Sequence, residues 1–169
     1  RVVLSQYLLA IQSAGTIPPQ ETGLTYNSWF GKFHLDMIWW HEAQFALWNR
    51  SNLLDRTLGW YEKVEPIARQ IAQRQGFDGV RWMKMTDPSG TEAPSKVGSF
   101  LIWQQPHLIY LAELLYRADP TKEVLEKYNR LVQETAEFMY SFATYDELEG
   151  RYVLKSAIPA QETLRAAET

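Results

Sequence analysis

The 169 residues carry 17 Lys+Arg against 20 Asp+Glu, a formal charge of −3, and 46% of them are hydrophobic. One domain with one core is expected at this length, and a chain this apolar is not disordered. No stretch gathers the basic patch that phosphate neutralisation needs, no apolar run approaches the ~18 residues of a membrane span, and a cysteine-free sequence has no disulfides, thiolate nucleophiles or Cys-ligated zinc.

Residues 2 to 14 repeat apolar side chains at helical spacing and stop at Gly15 and Pro18-Pro19. From His34 to Arg50 a second helix is expected, apolar on most sides and therefore surrounded by protein. Ser51 and Asn52 can cap a third that runs to about Gln75, with Gly59 and Pro66 as breaks or kinks and one charged face that marks it as an outer helix. Residues 76 to 99 have turn residues and no periodicity, so they read as a long loop of the kind that carries binding residues. Pro106 opens a second nearly all-apolar helix, 107 to 117, and Asp119-Pro120 opens an amphipathic outer helix that reaches about Ala143. A turn over 145 to 150 and a short extended segment before Pro159 complete the reading.

The fold class is therefore all-α, with buried and amphipathic helices alternating as concentric hairpins. A closed ring of six hairpins needs about 400 residues, so 1–169 is expected to be a partial domain completed by the remainder of the same polypeptide. The start on an amphipathic pattern and the polar tail AQETLRAAET agree with that expectation.

Aromatics make up 14%: 7 Trp, 9 Tyr and 7 Phe, which suit large cores and equally suit pockets that stack sugar rings. The first candidate cluster, residues 18 to 37, holds Glu21, Asn27, Trp29, His34 and Asp36 around Gly23 and Gly31. Amide, carboxylate, imidazole and indole together are what a polyol pocket uses, although a first-turn carboxylate such as Asp36 also serves the helix dipole. The second, residues 81 to 92, offers Arg81, Trp82, Lys84 and Glu92, while Asp87 to Gly90 reads as an ordinary turn. Gln104, Gln105 and His107 surround the start of the second apolar helix and are read as hydroxyl-binding groups. Trp40 is a further stacking candidate. His34 and His41 are seven apart and HEAQF lacks the second histidine of a zinc-protease helix, so no metal and no cofactor is expected. Serine-hydrolase, P-loop and dinucleotide fingerprints do not occur. Glu162, after a proline in uncharged surroundings, is a general-acid candidate or a solvated tail residue.

The motifs resemble the six-hairpin (α/α)6-toroid glycosidases of bacteria, in particular glycoside hydrolase family 65 and its neighbour family 95, over nearly the whole chain. Residues 29 to 37, WFGKFHLDM, are similar to the family's loop leading to a sugar-binding aspartate, here Asp36; residues 79 to 92 resemble its Gly-x-Glu loop; His107 matches the histidine opening the next helix. Residues 158 to 162, IPAQE, are similar to the Gly-Pro-Asp-Glu segment, which puts Glu162 on the general-acid position. Leu35, Ile38 and Gln161 depart from the family's Trp, Glu and Asp. The resemblance implies a carbohydrate substrate, cleavage with inversion, a base beyond residue 169 and a periplasmic or extracellular setting. The 169-residue chain alone is then expected to be inactive. The alternatives are a non-catalytic helical module that binds carbohydrate or protein, or another toroid chemistry: a phosphorylase, a lyase, for which a −3 chain offers no basic cleft, or an epimerase, for which His34 and His107 are the pair.

Overall fold

The computed structural model describes residues 1–22 and 29–158. Among them the chain is mostly helical: α1 (Val2–Ser13), α2 (Ile38–Leu47), α3 (Ser51–Arg74), α4 (His107–Ala118) and α5 (Lys122–Phe142). Two small antiparallel pairs accompany them, β1 (Phe33–His34) with β2 (Met85–Thr86) and β3 (Thr144–Asp146) with β4 (Arg151–Val153). No helix among the described residues is long and apolar enough to cross a membrane.

The helix α3 runs without interruption through Gly59 and Pro66, where a break or kink was expected. Its buried face explains the continuity. Leu54, Leu58, Tyr61, Val64, Ala68 and Ile71 recur every three or four residues and are all buried, and each large one contributes roughly 2 kcal/mol, which outweighs one missing backbone donor. In α5 the cap is Thr121, whose side chain accepts from the Val124 N–H, and the stripe Tyr128, Leu131, Thr135, Phe138 and Phe142 is buried.

The inner and outer roles differ from expectation. The helix α4 packs against α2, α3 and α5, and its Leu108 and Leu111 are fully buried. The helix α3, expected outside, supplies Trp60 and Tyr61 to the centre of the core. By contrast α2 has a broad solvated apolar face, with Trp39, Trp40 and Leu47 exposed at 36%, 52% and 79%. Periodicity reports how many sides of a helix accept apolar neighbours; it does not supply those neighbours.

The second helix also begins later than expected. Residues 33 to 37 form β1 and a turn: Phe33 pairs with Thr86, His34 with Met85, and the Leu35 N–H donates to the Lys84 carbonyl at 2.7 Å. Strand-like alternation sends Phe33 and Leu35 into the main core and leaves His34 and Asp36 on the other side.

The long loop is held close to the helices where glycine permits it. Gly79 has φ +69°, and a β-carbon there would lie 2.2 Å from the Glu134 carbonyl oxygen and 2.6 Å from the Phe138 nitrogen. This approach lets the Val80 N–H donate to Glu134 O at 3.1 Å and so ties the loop to α5. The tail holds a hairpin, with Asp146 Oδ1 accepting from the Leu148 and Glu149 N–H groups inside the expected turn.

Candidate functional site

Pairing of β1 with β2 brings together side chains from three parts of the sequence. His34 Nδ1 faces two acceptors, the Lys32 carbonyl at 3.1 Å and Glu21 Oε2 at 3.3 Å, so its proton sits on Nδ1 and Nε2 is left as an acceptor. Burial pushes the His34 pKa down, opposed by that carbonyl and by Asp36, and the ring is neutral at pH 7. Asp36 is 6% exposed; its Oδ2 lies 3.8 Å from Lys84 Nζ and its Oδ1 has no hydrogen-bond partner. Burial raises its pKa to about 6, with Lys84 and His34 pulling the other way. His41, on the first turn of α2, is also buried and pushed toward its neutral form by desolvation.

His107, at the start of α4, reaches the same end of the molecule. Its Nδ1 donates to the Leu35 carbonyl at 3.2 Å, one residue from both His34 and Asp36, and burial lowers its pKa. Its Nε2 is therefore a second imidazole acceptor. Trp40 and Trp103 pack edge-on around it, with ring centroids 6.3 and 5.4 Å away, and the Trp103 Nε1–H is buried without a partner. On the other flank the Trp29 ring meets His34 edge-on at 5.9 Å. Trp29, Phe30 and Gly31 all have positive φ, at 56°, 62° and 67°. For the two L-residues this costs roughly 1 to 2 kcal/mol each. Both rings are nevertheless exposed, Trp29 by 58% and Phe30 by 86%.

The expected site residues thus divide into two groups. Trp29, His34, Asp36, Trp40 and His107 share the end formed by β1 and the starts of α2 and α4. The others do not. Trp82 is 2% exposed, donates from Nε1 to Thr135 Oγ1 at 2.9 Å and packs edge-on against Tyr61, so it is a core residue and not a stacking surface. Gln105 accepts from the Trp82 N–H at 2.9 Å and donates to the Val80 carbonyl; Gln104 donates to the carbonyls of Trp82 and Leu101. These amides hold an irregular backbone segment that has no ladder of its own. Arg81 is 4% exposed, donates to Gln75 and to the Ser99 carbonyl, and lies over Phe138 and Phe142. Glu92 faces α3, where Arg74 is 3.5 Å away. The expectation that Arg81, Glu92 and Gln104 share one surface with Asp36 and His107 is corrected accordingly. Glu162, Asn27 and Gly23 lie outside the described residues.

Three residues of interest were not singled out in the sequence. Phe30 and Trp103 reveal themselves only through exposure and an unpaired indole. Glu42 is fully buried beside Thr57 and Tyr61, and desolvation raises its pKa to about 9; its place in an apolar stripe was the available signal. Among the described residues no three His, Asp or Glu side chains form a metal-binding group. No protein-family model matches the chain, and no curated protein does either.

Proposed function

We propose that this chain is part of the catalytic domain of an inverting glycoside hydrolase with an (α/α)6 toroid, and that the Asp36 end of the fold is its sugar site. The observation that supports this reading best is the meeting of Asp36, His34 and His107, from β1 and the start of α4, beside exposed Trp29 and Trp40. One carboxylate oxygen and two imidazole Nε2 atoms accept from sugar hydroxyls, Lys84 donates, and the indoles cover the apolar face of a pyranose.

In this reading Glu162 protonates the leaving oxygen, and a base from outside the chain activates water about 6.5 to 9.5 Å away across the scissile bond. Further hairpins of the ring cover the apolar faces left open here: Val3, Leu4, Tyr7 and Leu8 of α1, and Trp39 and Leu47 of α2. The test uses the full-length protein. Glu162→Gln removes the acid's proton while keeping its shape, so turnover of natural oligosaccharides should fall by at least about a hundredfold, while aryl glycosides with good leaving groups are partly spared. The first-formed sugar, followed by NMR, should have the inverted anomeric configuration. Equal loss on both substrate types removes Glu162 from the acid role, and no turnover of any glycoside by the wild type removes the enzyme reading.

A further inference from the structure

The turn at Trp29–Gly31 combines features that a packing role does not account for. Phe30 is held with φ +62°, in the region that L-residues rarely adopt, and its ring is 86% exposed. It buries little apolar surface in return for that backbone strain. The ring is also braced. Lys32 Nζ lies over it at 5.5 Å from the centroid, and the same ammonium donates to the Pro94 carbonyl at 2.8 Å, which anchors the brace in the loop after β2. Trp29, next to it in the same left-handed run, touches His34 edge-on and so connects the turn to the Asp36 cluster.

We propose that Phe30 is a preset aromatic platform for a second pyranose ring, the one adjacent to the sugar that Trp29 covers at Asp36 and His34. The inference rests on the reading of the Asp36 end as a sugar site and adds what its outer side recognises. The backbone of the turn presents the ring to solvent before any ligand arrives, so binding needs no rearrangement of the turn, which is the advantage of keeping it strained and exposed. The neighbouring Lys32 ammonium gives hydroxyls at the platform's edge a donor. The ligand class is therefore a disaccharide or longer oligosaccharide.

The experiment titrates the full-length protein with glucose and with a panel of glucose disaccharides of every linkage, read by tryptophan fluorescence and calorimetry. Wild type should bind at least one disaccharide more tightly than glucose. Phe30→Ala should weaken that disaccharide about five- to tenfold and leave glucose unchanged. Phe30→Asn, whose side chain tolerates positive φ, should weaken it equally while keeping the melting temperature at or above that of wild type. A drop in melting temperature with unchanged disaccharide affinity makes Phe30 a structural residue and overturns the platform while leaving the Asp36 site intact. If wild type binds glucose but Phe30→Ala binds every disaccharide as tightly as wild type, the platform is likewise wrong. If wild type binds no saccharide in the panel, the sugar site and the platform fall together.

Discussion

Two buried polar regions of this molecule have similar residue chemistry and different fates. Around Gln104 and Gln105 the amides bond to the backbone of residues 80 to 82, Trp82 bonds to Thr135, and Arg81 is fixed by Gln75 and Ser99. Around Asp36 the groups are titratable, Lys84 Nζ stands 3.8 Å from one carboxylate oxygen, the other carboxylate oxygen has no partner, and exposed indoles stand alongside. Both regions are nearly as dry, so burial does not separate them. What separates them is what the groups bond to and what stands beside them: around Gln104 and Gln105 the side chains tie down backbone N–H and carbonyl groups, with only Arg81 Nε and Gln104 Oε1 left over, whereas around Asp36 titratable groups stand beside exposed rings where a ligand can reach them.

The contrast predicts opposite responses to mutation, strongest where the loop meets α5. Gly79→Ala drives a β-carbon into the Glu134 carbonyl at a positive φ, and we expect it to destabilise the chain by about 4 kcal/mol, seen as a large drop in denaturation midpoint. Gln105→Leu leaves the Val80 carbonyl and the Trp82 N–H buried without partners, and should cost about 3 kcal/mol by urea unfolding. A change below about 1 kcal/mol would mean that the amide lattice does not organise the loop and would dissolve the comparison.

Asp36→Asn should behave in the opposite sense. Burial raises the Asp36 pKa from 3.8 to about 6, so its contribution to stability is complete below about pH 4, is lost as the pH rises to about 6, and stays lost above. The loss amounts to about 3 kcal/mol. The asparagine variant should lack that slope in unfolding curves between pH 4 and 7 and should also lose saccharide binding. A stability change without a binding change would assign Asp36 to the fold. The smallest effect is expected from Trp82→Phe, which removes the bond to Thr135 while Thr135 keeps the Leu131 carbonyl, at about 1 kcal/mol and with sugar affinity unchanged.

Much of the helical framework was legible because its signals are local. The stripe of α4, the proline before it and the turn residues of 76 to 99 all act within a few positions, and the observed bounds follow them. The start of α2 was not legible, since the pairing that turns Phe33 and His34 into a strand joins them to residues some fifty positions away. The same distance hid the role of Gln104 and Gln105. Two adjacent amides before a helix look alike whether they face a hydroxyl or a carbonyl, and only the loop folded over them decides. Trp82 illustrates the same limit for aromatic rings: an indole in a long loop suggests a surface, yet its packing on Tyr61 makes it core. Of the candidate site, Trp29, His34, Asp36, Trp40 and His107 were legible as residue types, while their meeting depends on long-range contacts such as that from His107 to the Leu35 carbonyl and of Trp40 with His107.

One spectrum can compare the two regions directly. Imidazole and indole signals of the labelled full-length protein, followed by NMR while a saccharide that it binds is titrated in, report both at once. The account predicts that His34, His107 and the Trp29 and Trp40 indoles shift with a common affinity while the Trp82 indole, bonded to Thr135, stays in place. Shifts centred on Trp82 with His34 and His107 unmoved would contradict it.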